Sequence, residues 1–564
     1  MGYIIACVYI VLWSAMVVYV CREKQVSWYQ SVAMVVYSII LVEYVFGLMG
    51  CLSAGVWIIL GTSIIPILYL SIRAKGQIKN VITTDLYIVL VILAVIYIVN
   101  LGKHIYQIDE YTHWALVVKD MFYKGVMAND SMTCTSYVEY PPAMALFEYF
   151  VCKLNGVYRE RDLFRAFNII TVFTIVSLGS TIITQMSVKW KKIVIVIGLL
   201  VVPCVFYYPY SDLFVDCILG LLFAFIMYHV WNQSQTNIVN YINIALATAV
   251  LVLTKSSGKG LVYIVWFGIA VGILTGVYSR KELLKRGAIS VVSYAAANYS
   301  WKYAIATGVG QDNVQWNLGT INVQSIGELL HSFGSKEMEI LKQFLHDYIY
   351  PQPSLNLVSL SYLMWIILLA CGVWLLYRKN KKLAVVTGLT SAVGIVIYSI
   401  YLLLLYYFVW KAALTDGSFY RYLNTIYMGS VVTELALLYE CYRGEFMEIS
   451  GRKLVTCLMI IIAFSRYSEF AKVVKNAVNY KNYQPYAYES AYKIDENENA
   501  VYKNTIVVSL EDSNRKNIDC VKEGYMAVPY RYTIILDENE INNLLEKYEY
   551  VYILQSSGNR LISR

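Results

Sequence analysis

Charge is what this sequence has least of. Of its 564 residues, 15% are Asp, Glu, Lys or Arg and 58% are hydrophobic, with a mean hydropathy of +0.53. So few charged side chains cannot cover the surface of a soluble protein of this length. Cysteine patterning is absent too. The 11 cysteines are scattered, mostly inside apolar runs, with no CxxC pair and no Cys/His metal spacing, so they read as small buried hydrophobes rather than a disulfide framework. There is no internal repeat and no Gly/Ser-rich or Pro-rich linker. No basic stretch precedes the apolar residues 2–20, and charge follows them at Cys21–Lys24, which suits a first spanning helix rather than a cleaved signal peptide.

What the chain does have is a series of apolar runs, each long enough to cross roughly 30 Å of hydrocarbon as a helix. The expected fold is an all-α polytopic membrane protein of about 14 transmembrane helices. The spans are expected near 2–20, 31–50, 54–72, 84–100, 166–186, 193–210, 213–231, 240–254, 260–278, 287–306, 358–377, 383–408, 424–442 and 454–470. The net charge of +8 then has a use other than nucleic-acid binding. Short basic loops such as Lys189/Lys191/Lys192 and Arg378/Lys379/Lys381/Lys382 all fall on one side of this topology, which the positive-inside rule makes cytoplasmic. The outer side receives the long segments 101–165 and 307–357, the short 409–423, and a polar tail from 471. Within the tail, "NTIVVSL", "YRYTIILD", "EINNLLEKY" and "EYVYILQSS" predict short strands around one helix, a small extracytoplasmic α/β tail.

Charge gathers in the first outer loop. "IDEYTHW" places Asp109, Glu110 and His113 just beyond an apolar run. Thr112 is placed to cap a short helix with an apolar stripe of Trp114, Val117, Val118, Met121 and Phe122, ended by Gly125 and lying in the membrane interface. Lys119, Asp120 and Lys124 fall on its other faces. Asp109 and His113 would share one face, with Glu110 on another. Two acids ahead of a helix also favour its dipole, but that alone leaves His113 unexplained. Further on, "YVEYPPAMALFEYF" lets Pro141-Pro142 start a helix after Tyr140.

"IDEYTHW" at the outer end of a span, followed by "YPP", resembles the GT-C superfamily of integral membrane glycosyltransferases, and more nearly the bacterial members related to protein O-mannosyltransferases and the aminoarabinose transferase of lipid A. The resemblance covers roughly residues 80–310 and a piece around 409–425. It implies a sugar donor linked to polyprenyl phosphate, transfer on the outer face of the plasma membrane with inversion, and a glycan, lipid or protein as acceptor. It also implies an acidic pair as the catalytic centre. One departure stands out: the acidic loop follows the fourth expected span rather than the first, making 1–80 an addition of three helices. The expected organisation is that addition, a GT-C-like module over 81–310, further outer loop and helices over 311–470, and the tail over 471–564.

Three other outer segments carry candidate residues. "YSDLFVDC" places Asp212 at the interface and Asp216 one turn deeper on the same helical face, as site acids or as a structural pair. "LTKSSGKG" puts Lys255 and Lys259 outside, against the usual charge bias, so a phosphate is one partner; a cytoplasmic loop is the alternative. The stretch is similar to the T-K-x-x-G segment of related transferases. "SFYRYLN" offers Arg421, whose planar fork suits phosphate oxygens, or which simply lies in the interface beside Tyr420 and Tyr422.

The convergence of acids and bases on one side casts Asp109 as the catalytic base, Glu110 as positioning acceptor or donor hydroxyls, and His113 as assisting. Lys255 and Arg421 are cast as holding the lipid phosphate, and Tyr140 and Asp212 as further substrate-binding residues. Asp109, Glu110 and Asp212 are hard oxygen ligands for a divalent metal, but two cations can manage a single phosphate, so no cofactor is expected. Rival readings are an O-antigen ligase or polymerase, a multi-spanning transporter or lipid flippase, and a non-catalytic scaffold. Transporters more often place charge near the midplane, within repeats or broken helices.

Overall fold

A computed structural model describes residues 1–448 except 25, 74–80, 130–132, 136, 234–235, 309–322, 332, 351–359 and 411–417. Beyond 448 it describes 475, 505–510, 522, 524–528, 530–535, 540–554 and 560–563. The chain is a multi-pass helical membrane protein. Among the described residues, six helical stretches are long and apolar enough to cross a membrane: Gly2–Val20 (α1), Trp28–Leu48 (α2), Leu52–Arg73 (two helices end to end), Gly258–Thr275 (α13), Tyr362–Lys379 (α17) and Lys381–Phe408. Shorter apolar helices include Thr84–Val99 (α5), Asp216–Trp231 (α11) and Asn237–Val252 (α12).

Thirteen of the fourteen expected spans overlap described helices, although the one expected over 193–210 is helical only over Lys189–Cys204, and the expected span 454–470 lies outside the described residues. Two others differ in form. The stretch expected as one helix over 54–72 is two, Leu52–Gly61 (α3) and Ile64–Arg73 (α4), broken at Thr62–Ser63. Pro66 lacks an N–H and is tolerated only in a first turn, which fixes where α4 begins. The span expected from 166 starts at Glu160, as Glu160–Leu178 (α8) followed by Ser180–Gln185 (α9). Arg165 of its first turns pairs with Asp162 at 2.7 Å and lies over the Tyr97 ring at 4.1 Å, so its charge is hidden inside the protein.

Between α5 and Glu160 stand two short helices, Ala115–Lys124 (α6) and Ala143–Asn155 (α7). Gly125 and Gly156 end them in the left-handed region, φ 72° and 74°, which a residue without Cβ adopts at no steric cost. Thr112 does not cap α6. It lies inside a π-helical turn, Glu110–Trp114, and its hydroxyl donates to the Ile108 carbonyl. The polar faces of α6 are covered rather than solvated: Lys119 and Asp120 are both buried, the acid paired with Lys124 at 2.6 Å and accepting from Thr133 and the Cys134 amide.

One hydrophobic core runs from α1 through the late helix Ser418–Cys441 (α19). The α11–α19 contact is close because Gly220 and Gly429 face each other's helix; a Cβ on Gly220 would lie 2.7 Å from the Thr425 carbonyl oxygen. The remaining helices in chain order include Lys189–Cys204 (α10) and Arg280–Gly308 (α14). Ser335–Ile349 (α16) precedes α17.

The tail forms a four-stranded sheet ordered β2-β1-β3-β4: Thr505–Leu510 (β1), Arg531–Ile535 (β2), Tyr550–Leu554 (β3) and Arg560–Ser563 (β4). β1 runs parallel to both β2 and β3, and β4 antiparallel to β3. With a helix at Glu540–Leu545, it buries its own small core of Ile506, Val508, Ile535, Ile541, Val551 and Ile553.

Candidate functional site

Four charged side chains from four distant segments meet at one end of the helices. Asp109 opens the π-helical turn, Asp216 begins α11, Lys255 lies in the α12–α13 turn, and Arg421 is in the first turn of α19. The Arg421 Nη1 lies 2.7 Å from Asp109 Oδ2, and its Nε 3.1 Å from Asp216 Oδ2. The other oxygen of Asp216 is 2.8 Å from Lys255 Nζ. Asp216 therefore faces both cations at once. Its side chain is 2% exposed, against 44% for Asp109, so the acidic residue open to an incoming molecule is Asp109.

Local sequence explains how the cations arrive. A Cβ on Gly258 would collide with the Leu251 carbonyl oxygen, so only glycine lets the chain turn back that tightly after Lys255. The Leu253 carbonyl accepts from the Ala143 amide at 2.7 Å, which ties the Lys255 turn to the start of α7 just beyond Pro141-Pro142. Arg421 is held from two sides: Tyr207, in the segment before α11, donates to its carbonyl at 2.6 Å, and one turn on Thr425 meets the Asp216 carbonyl of α11 at 3.3 Å.

Rings line these charges. Lys255 Nζ is 4.3 Å from the Tyr422 ring centre, 5.9 Å from Trp114 and 6.0 Å from Tyr140. The Arg421 guanidinium lies 4.3 Å over Phe214. Tyr140 stacks between Trp114 and Tyr137, with centroids 5.8 and 5.5 Å away.

Glu110 and His113 are brought close, but neither faces outward. Glu110 is fully buried; its Oε2 accepts from the amides of Tyr106 and Gln107 and its Oε1 from that of Leu213. It thereby fastens the acidic loop to the segment before Asp216. Burial pushes its carboxyl up to about 8, partly offset by those three amides. His113 bonds Thr135 through Nδ1 at 3.1 Å and packs edge-on to Tyr140. Burial, helped by the Lys255 charge, pushes its imidazole down to about 3, so it is neutral at physiological pH. Asp212 is buried, accepts from the Phe214 amide at 3.1 Å, and is pushed up to about 7 by burial. It does not stand with Asp216 on one helical face, because α11 begins only at Asp216.

Sequence reasoning missed Asp216 as the centre of the cluster, although its depth and its spacing from Asp212 had marked it. It also missed Glu148 of α7, a buried acid lining a cavity of about 20 Å³ with His113, Tyr140 and Thr254, room for one water molecule. Of the hard oxygen ligands proposed for a metal, Glu110 and Asp212 are already engaged by backbone amides. Among the described residues, no three His, Cys, Asp or Glu side chains converge to hold a metal ion.

No family model matches the chain, and no curated protein matches its sequence. The likeness among solved structures is to ArnT. The apo crystal structure of ArnT from Cupriavidus metallidurans aligns with a TM-score of 0.36 and 12% identity, over 84% of this chain and 94% of that one. The structure of the same protein bound to undecaprenyl phosphate aligns with a TM-score of 0.36 and 13% identity, over 81% and 87%. Neither alignment is close enough to assign a family or an activity.

Proposed function

We propose that the chain is an inverting membrane glycosyltransferase, moving a sugar from a polyprenyl-phosphate donor to a hydroxyl acceptor on the outer face of the plasma membrane. The observation that carries this reading is the linked set Asp109–Arg421–Asp216–Lys255, with two cations, a buried acid between them and an exposed acid at its edge. The acceptor oxygen attacks the anomeric carbon while Asp109 takes its proton. The bond from that carbon to the phosphate oxygen breaks, and the lipid phosphate leaves with the electron pair, its charge met by Lys255 and Arg421. No cofactor enters this scheme, because the two cations supply the charge that a metal would.

Glu110 acts here by holding the loop rather than by touching the acceptor, and His113 by packing beneath Tyr140. Tyr140 belongs to the aromatic wall beside Lys255. Asp212 is a buried neighbour of the cluster, interacting with Lys103 and more weakly with Arg421. A lipid donor also needs a place for its chain. An apolar groove of about 600 Å³ between α5, α8 and α10 runs from Thr84 and Lys189 to Val99 and Tyr210, two residues short of Asp212. A transporter would use charge part-way along its helices, whereas these four groups lie at the helix ends.

The test is transfer from a radiolabelled polyprenyl-phosphate sugar by the purified chain in proteoliposomes. Product from the wild-type chain but not from Asp109→Asn supports the reading. Equal turnover by the two sinks it.

A further inference from the structure

We infer that the C-terminal α/β unit fastens the acidic loop in place through Tyr525, a positioning residue for Asp109. This rests on the transfer reaction proposed above.

Tyr525 lies in a helical turn over 524–527, between β1 and β2, and is 2% exposed. Its hydroxyl donates to Glu160 Oε1 at 3.0 Å and lies 2.9 Å from the Tyr158 hydroxyl. Its ring meets Tyr111 edge-on, centroids 5.4 Å apart. Its carbonyl accepts from Lys119 Nζ at 2.8 Å, and that ammonium lies 4.3 Å from its ring centre. One residue of the tail thus touches the π-helical turn, α6 and the start of α8.

These contacts converge on the loop that carries Asp109. The second oxygen of Glu160 accepts from the Ile105 amide at 3.1 Å and lies 2.9 Å from His104 Nδ1. Tyr111 donates back to the Ile105 carbonyl at 3.0 Å. The segment 104–111 is therefore held at both ends by groups that Tyr525 touches, while Asp109 between them is half exposed and reaches across to Arg421. The tail has its own core, and among the described residues only Tyr525 and Val528 of it are buried in the large hydrophobic core that the helices form. The attachment is made through a short stretch of the tail. Met526 and Val528 pack against the same core, Lys522 Nζ lies 5.9 Å from the Tyr111 ring centre, and the Tyr530 carbonyl accepts from Cys134 Sγ at 3.5 Å. Tyr525 adds the bond to Glu160 that ties down the Ile105 end. Lys255, Asp216 and Arg421 lie on other segments, so loosening Tyr525 displaces the base without displacing the phosphate cations.

The experiment uses the full chain in nanodiscs, with Tyr525→Ala and Tyr525→Phe, read by hydrogen exchange over 104–114 and by transfer kinetics with the polyprenyl-phosphate sugar. Tyr525→Ala is expected to speed exchange over 104–114 but not over 216–231, and to lower kcat about 30-fold with donor KM unchanged. Tyr525→Phe keeps the ring and carbonyl contacts and should recover most of that loss. On an Asp109→Asn background the Tyr525→Ala effect should vanish. Unchanged exchange over 104–114 overturns the attachment, and faster exchange with wild-type kcat overturns the positioning role. If Tyr525→Ala does not fold, Tyr525→Leu, which fills the space but removes both the ring and the hydroxyl, takes its place under the same two criteria. If the wild-type chain transfers no sugar, the proposed reaction has failed, and the exchange data alone decide the attachment.

Discussion

Arg421 reaches Asp109 across 312 residues of chain, Nη1 to Oδ2 at 2.7 Å, while its Nε faces Asp216. The two acids are not equivalent partners. Asp216 is enclosed and shared with Lys255, whereas Asp109 is 44% exposed. A phosphate arriving at the guanidinium competes with both carboxylates, and Asp109 is the one free to turn away. In the proposed transfer, that leaves its oxygens open to the acceptor hydroxyl.

Asp109→Asn keeps the shape and removes the basicity. It should lower kcat by about 100-fold or more with donor affinity little changed, since general-base assistance contributes on that order. Steady-state transfer kinetics together with equilibrium binding of the lipid-phosphate sugar separate the two quantities. A matching loss of donor affinity would assign Asp109 to binding instead.

Asp216→Ala should cost stability as well as turnover. The change strands Lys255 and Arg421 together without an intervening acid, and breaking a buried ion pair by removing one partner costs about 3–5 kcal/mol. Thermal unfolding in detergent should show a clear downward shift that Asp109→Ala, at an exposed pair, does not share. Equal shifts for the two variants would contradict the burial difference between them.

Much of this was legible in the sequence, and the misses have physical causes. Hydropathy marked the spanning helices because a bilayer demands long apolar runs, yet it placed the start of α8 six residues late, since Arg165 hides its charge against Asp162 and Tyr97. Asp109, Lys255 and Arg421 could be selected because charges beside long apolar runs are rare in this sequence. Asp216 could not be recognised as their hub, because its role depends on the Gly220–Gly429 contact between α11 and α19, which no local pattern reveals. Adjacent acids also look alike in sequence: only the fold turns Asp109 outward and buries Glu110 against three backbone amides.

Stability against pH should carry the signature of Glu110. Its folded value of about 8 lies above its ordinary 4.5, so the folded chain keeps a proton that the unfolded chain has lost. That stabilisation is present below about 4.5 and is lost as pH rises towards 8. Asp212, raised from 3.8 to about 7, has the same sign but is spent by pH 7. His113, lowered from 6.5 to about 3, has the opposite sign: its contribution is complete above 6.5 and is lost as pH falls. Between pH 7 and 8 Glu110 therefore acts alone among these three. Glu110→Gln keeps an acceptor for the amides, and its melting temperature should fall less over that interval than that of the wild-type chain. Parallel curves would mean that Glu110 is already ionised in the folded protein.

Gly258→Ala tests the site without touching any charge. Its methyl group would have to occupy the space of the Leu251 carbonyl oxygen, so the turn must open and Lys255 must shift from Asp216. The Leu253 carbonyl, bonded to Ala143 at the start of α7, would move with it. Because Lys255 is proposed to bind the leaving phosphate, the expected result is weaker donor binding, about tenfold or more in KM, since charge-assisted hydrogen bonds are worth about 1.5–3 kcal/mol each. Gly260→Ala, whose Cβ would meet no atom within 4 Å, is the matched control and should behave as wild type. Donor KM measured for both variants decides the matter: a normal KM in Gly258→Ala would separate Lys255 from the phosphate.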